Sequence, residues 1–205
     1  MKAVLSLVAF FASTILAATI PDKNGWYLRR DDEMHLEDLP IVDLQITDPR
    51  FGDRVFNGTV EAVYAQMKAE KPELFVDEKP FDMETLPRSP SLSKRQGTVN
   101  CGWPSNNVND RVSQWNNCLE GMTYLMNLGQ AICGVPASPA CSRVSCSHNC
   151  GMFLCNKQNF EYKMHCDSIP ADINAIATEC MDSVGRVWGA RDWATHYLGL
   201  RKQSC

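Results

Sequence analysis

All ten cysteines of this chain lie after Arg95. Cys101 follows the dibasic pair Lys94-Arg95 by a few residues, and Cys205 is the C-terminal residue. A cysteine-free first half joined to a cysteine-dense second half at Lys-Arg reads as a precursor. On that reading residues 1–18 are an export signal, 19–95 a pro-segment removed at Lys94-Arg95, and 96–205 the mature cysteine-rich domain. In an oxidising compartment an even cysteine count in a short domain means bridges. Cys101, Cys118, Cys133, Cys141, Cys146, Cys150, Cys155, Cys166, Cys180 and Cys205 are therefore expected to form five disulfides. No Cys-x-x-Cys pair is present, and His148 and His165 fall at no zinc-ligand spacing, so no metal is expected. The pairing stays open: eight cysteines already allow 105 connectivities, and ten allow about nine times as many.

The N-terminus fits export. Lys2 is followed by an apolar stretch running to Ala18, too short to span a bilayer and ending in small residues before Pro21. No later segment approaches about 18 uninterrupted apolar residues, so no membrane anchor is expected and the product is placed outside the cell. Charge also divides at the seam. Residues 1–95 carry 12 Lys+Arg and 16 Asp+Glu, whereas residues 96–205 carry 8 of each. A domain with zero net charge announces no basic footprint for nucleic acid. Within the pro-segment, the run from Val60 to Lys68 predicts a helix, and Asn57-Gly58-Thr59 is an N-glycosylation sequon. Arg29-Arg30 offers a second dibasic site, and cleavage after Arg95 would expose Gln96, which can cyclise to a blocked N-terminus.

The second half predicts two helices and several strands. Val112, Trp115, Leu119, Met122 and Met126 recur at helical spacing after Asn109, with Gly129 near the end. A second helix is signalled by Asp167-Ser168 as cap, Pro170 in the first turn, and Ile169, Ile173, Ile176 and Cys180 on one face. Residues 141–146 and 151–155 predict a hairpin turning at Ser147-His148-Asn149. Residues 184–188 and 193–200 predict two further strands, separated by a turn at Gly189-Ala190-Arg191-Asp192. The class is α+β: a small disulfide-stabilised sandwich, with an antiparallel sheet packed against two helices.

Chemistry is sparse. With every cysteine paired no thiol is left as nucleophile, and no Gly-x-Ser-x-Gly elbow, His-Glu-x-x-His helix or phosphate loop occurs. Glu120, Glu161, Arg143, His148, His165 and His196 are the groups a small ribonuclease or glycosidase would have to use, and no recognisable spacing unites them. No cofactor is expected. Trp115 belongs on a core face. Trp188 and Trp193 flank the expected turn, so Trp188, Arg191 and Trp193 form the candidate binding surface, with the loop from Gly134 to Pro139 as a second place to look.

Cys118-Leu119-Glu120-Gly121-Met122-Thr123-Tyr124-Leu125, Cys133, and Cys141-Ser142-Arg143-Val144-Ser145-Cys146-Ser147 resemble a group of small secreted proteins of filamentous fungi. Those proteins share a Gly-x-x-Tyr-Leu … Arg-Val-Ser-Cys-Ser … Cys-Asn run, completed here by Cys155-Asn156. Cys150 departs from the group's pattern, where a small polar residue is expected. More distantly, the chain is similar to KP4-type killer toxins, ten-cysteine α/β sandwiches; their opening block is partly matched by Val99-Asn100-Cys101-Gly102. Their basic functional surface has no counterpart here, so channel blockade does not carry over. Leu92-Ser93-Lys94-Arg95 resembles the sites of kexin-type proteases, the one maturation partner implied. The resemblance implies an extracellular effector or killer-toxin-like protein that binds a host or competitor target. A small secreted hydrolase and an enzyme inhibitor are the alternatives.

Overall fold

The computed structural model describes residues 39–82, 97–102, 114–137 and 139–205. The export signal, both dibasic sites, Gln96 and the expected helix start at residues 109–112 lie outside them. Among the described residues ten strands form two sheets. The larger has the order β1-β6-β7-β10-β9-β4, from β1 (Ile41–Val42), β6 (Ala140–Ser147), β7 (Cys150–Asn156), β10 (His196–Lys202), β9 (Gly189–Asp192) and β4 (Thr98–Cys101). The smaller has the order β3-β2-β5-β8, from β3 (Val55–Asn57), β2 (Gln45–Thr47), β5 (Ile132–Val135) and β8 (Tyr162–His165). All pairings are antiparallel except β1 with β6.

Three α-helices among the described residues complete the α+β fold: α1 (Val60–Glu70), α2 (Leu119–Leu128) and α3 (Ile169–Cys180). α3 packs on β4, β9 and β10, while α1 and α2 pack on each other and on β6. α1 and α3 each bury an i, i+3, i+4, i+7 stripe: Val60, Val63, Tyr64 and Met67 in α1, and Ile173, Ile176, Ala177 and Cys180 in α3. These stripes meet Met152, Leu154, Leu198 and Leu200 in one apolar core. Along β7 and β10 the alternate residues face the other way, where Phe153, Cys155 and Tyr197 form a second buried cluster with Cys141 and Ala190.

The hairpin forms as expected. His148 and Asn149 both have positive φ (48° and 64°), the backbone of a two-residue type I′ turn. Other expectations are corrected. The first helix starts at Leu119, preceded by a 3-10 turn over Trp115–Cys118. Ser168 occupies the cap position of α3 but makes no capping bond; its hydroxyl donates to the His165 carbonyl at 2.6 Å. Val184 and Gly185 lie in a turn organised by Asp182, whose carboxylate accepts from the Val184 and Arg186 amides. The predicted turn at Gly189–Asp192 is strand β9, hydrogen-bonded between β10 and β4.

The architecture is larger than one sheet on two helices because of residues 39–82, in the segment expected to be removed. They supply β1, β2, β3 and α1 and bury Leu44, Ile46, Phe56, Val60, Val63, Tyr64, Met67 and Phe75 in the common core. All ten cysteines are paired, as Cys101–Cys180, Cys118–Cys150, Cys133–Cys166, Cys141–Cys155 and Cys146–Cys205. Cys150 ties the start of β7 to the start of α2. None of the five bridges reaches residues 39–82.

Candidate binding surface

At one end of the larger sheet the chain leaves β7 towards β8 and turns from β9 into β10. These two connections lie side by side because buried polar groups pin them. Asn156 is fully buried; its side-chain amide donates to the carbonyls of Pro136 (3.3 Å) and Phe160 (2.6 Å), and its oxygen accepts from the Gln158 amide. The Lys157 amide donates to the Thr195 carbonyl at 3.0 Å. The Lys157 ammonium donates to the Trp193 carbonyl at 2.8 Å and pairs with the Asp192 carboxylate. The loop thus held presents Phe160, 58 % exposed.

Beneath this surface lies an aromatic stack. The His196 ring sits 4.1 Å from the Tyr162 ring and 4.5 Å from the Trp193 ring, centroid to centroid and nearly parallel to both. Its Nε2 is 3.0 Å from the Tyr162 hydroxyl and its Nδ1 is 2.9 Å from Thr195 Oγ1. Burial, aided by the Lys157 charge, lowers the His196 pKa to about 4, so the ring is neutral near pH 7. Trp193 covers Gly97, where a Cβ would come within 2.5 Å of the indole.

Arg191, expected on an exposed turn, is buried at 4 % exposure. Its Nη1 donates to Asp172 Oδ1 at 2.7 Å, and its guanidinium lies 5.2 Å from the Trp193 ring centroid. Burial pushes the Asp172 carboxyl up to about 6 against the opposing pull of Arg191. Arg191 therefore supports the surface from below and is not part of it. Trp193 and Trp188 are half-buried, and Trp193 packs on the core. Of the second expected loop, Gly134 and Val135 belong to β5, leaving a shorter connection after them.

The candidate acid and imidazole groups are dispersed, with one exception. His148 and Glu120 meet at 3.2 Å on the open surface, and the Tyr124 hydroxyl donates to the same carboxylate at 3.2 Å. Glu161 pairs with Lys163, His165 is exposed, Arg143 is half-buried on β6, and His196 is enclosed in the stack. Among the described residues no group of three or more His, Cys, Asp or Glu could hold a metal ion. No helix among them is long and apolar enough to cross a membrane.

Sequence reasoning missed Asn156, Phe160, Tyr162 and Asp172. Asn156 follows Cys155 at the end of β7, and Asp172 lies in the first turn of α3 after Pro170. Nothing local distinguishes Phe160 or Tyr162. Comparison with family models, with curated proteins and with solved structures returns no match for this chain.

Proposed function

We propose that this chain is a secreted, kexin-processed cysteine-rich protein that acts outside the cell by binding a target, in the manner of fungal effectors and KP4-type killer toxins. The observation that carries the reading is Phe160. A large apolar side chain stands exposed on a short loop whose backbone is held by a fully buried Asn156 and by Lys157. Such a loop loses little entropy on binding, which lets a small surface reach useful affinity, and aromatic anchors dominate interfaces of this kind. The five bridges supply the same rigidity at the scale of the domain.

The test applies the purified protein to plant tissue and to competing microbes, beside a reduced sample. Phe160→Ala should abolish most of the activity in a protein that keeps its fold, and reduction should abolish it entirely. A second reading, a small secreted hydrolase, is favoured by the Glu120–His148 contact. Glu120→Gln or His148→Ala killing activity in a still-folded protein, with Phe160→Ala silent, would establish that reading in place of binding.

A further inference from the structure

Residues 39–82, ahead of Lys94-Arg95, are built into the fold of the cysteine-rich half. β2 lies between β3 and β5 and pairs with β5 from Gln45↔Gly134 to Thr47↔Ile132. β1 extends the larger sheet in parallel with β6, and the Cys141 amide donates to the Pro40 carbonyl at 3.0 Å. Tyr64 of α1 packs 5.0 Å from Tyr124 of α2. Beyond α1, the Phe81 amide donates to Thr123 Oγ1 at 3.1 Å, and the Asn127 side chain exchanges hydrogen bonds with both the amide and the carbonyl of Lys79. Arg50, fixed by Asp48, donates to the Leu128 carbonyl at 3.2 Å.

One contact reaches the Arg143-Val144-Ser145-Cys146-Ser147 block itself. The β6 register shifts between Arg143 and Ser145, and both Val144 and Ser145 are buried. Glu61, in the first turn of α1, accepts the Ser145 hydroxyl and the Cys146 amide, the latter at 3.1 Å. A carboxylate receiving two donors at a half-buried site is a strong, directional contact. Nothing covalent parallels it, because all five bridges lie within residues 101–205.

We infer that cutting at Lys94-Arg95 does not release residues 39–82: they stay as a non-covalent second chain, latched by Glu61, and the secreted product is a two-chain protein. The inference rests on the processing proposed for this chain. Loss of the segment would strip β5 of one of its two partner strands and uncover the faces of α2 and β6 on which α1 packs. The covered face is therefore an interaction surface whose occupant is the chain's own leader.

The experiment cuts the full chain with a kexin-type protease and runs it on size exclusion, natively and in concentrated guanidinium without reductant. One native peak containing both chains, splitting into two in denaturant, is expected. A leader that elutes apart under native conditions overturns retention, whereas a chain that is not cut after Arg95 fails the processing reading itself. With the cysteine-rich chain immobilised, Glu61→Ala should speed loss of the leader about tenfold or more, and Glu61→Gln, which keeps an acceptor, much less. An unchanged rate for Glu61→Ala overturns the latch.

Discussion

Arg191 shows how burial decides a residue's role. Asp and Arg in a Gly-Ala-Arg-Asp run look like turn residues, yet the guanidinium is enclosed and ion-paired with Asp172. Arg191→Ala would strand a buried carboxylate, at a cost of about 3–5 kcal/mol, whereas exchanging both partners for apolar residues of similar volume should cost much less. Chemical denaturation of the single and double variants measures the difference. Two neighbouring groups also set the acid behaviour. His196, lowered to about 4 from an ordinary 6.5, binds its proton more weakly when folded, so its contribution is present above pH 6.5 and is lost as pH falls towards 4. Asp172, raised to about 6 from 3.8, binds its proton more tightly when folded, so its contribution is present below pH 3.8 and is lost as pH rises towards 6. The windows overlap and the slopes oppose, each integrating to roughly 3 kcal/mol. Their contributions to stability between pH 4 and 6.5 should largely cancel in the wild type. His196→Gln should leave a curve that falls with pH relative to wild type, and Asp172→Asn one that rises; melting across that range reads the tilt.

At the scale of elements, the run from Gly121 to Leu125 and the block from Arg143 to Ser147 touch each other. Gly121 of the Gly-x-x-Tyr-Leu run lies on Ser145 of the Arg-Val-Ser-Cys-Ser run, so close that a Cβ would fall 1.9 Å from its hydroxyl oxygen and 2.8 Å from its Cβ. Ser145 cannot swing away without losing Glu61. Gly121→Ala should therefore destabilise by about 1–3 kcal/mol by overpacking, despite the better helix propensity of alanine, and thermal unfolding checks the sign. The hairpin and α3 are legible in the sequence because alternation, a two-residue turn and an apolar stripe are local signals. β9 is not. Gly-Ala-Arg-Asp carries no strand pattern, and its extended backbone comes from pairing on one side with β10 and on the other with β4, far back in the chain. Phe160 is illegible in the sequence, because its exposure depends on Asn156 folding back on the loop, a tertiary contact without a periodic signature.

At the scale of the molecule, cysteine placement shows where covalent stabilisation lies but conceals where the core lies. Bridges mark residues 101–205, while the core is shared with residues 39–82, whose strands are only two or three residues long and gain their stability from partners across the seam. Among the bridges, Cys101–Cys180 closes 79 residues and Cys141–Cys155 closes 14. Chain entropy assigns them about 4.5 and 3 kcal/mol, so a Cys101→Ser, Cys180→Ser pair should unfold at lower denaturant than the equivalent hairpin pair. The shared core carries a further consequence for how those bridges form. Correct pairing needs the cysteines brought together by packing. Cys133 sits on β5, between β2 and β8, and its partner Cys166 follows β8. Cys118 ends the 3-10 turn that leads into α2, and its partner Cys150 opens β7. Residues 96–205 refolded alone lack β2 and α1, one of the two neighbours of β5 and one of the elements packed on α2. Oxidative refolding of residues 39–205 should yield a protein in which alkylation labels no thiol. The same procedure on residues 96–205 should leave labelled thiols or mispaired bridges, detected by peptide mapping, with exposed apolar surface that binds a hydrophobic dye. Adding residues 39–82 as a separate peptide should restore native pairing. Native bridges forming in residues 96–205 without the peptide would show that the cysteine-rich half carries its own folding information, and that the leader only docks on a finished domain.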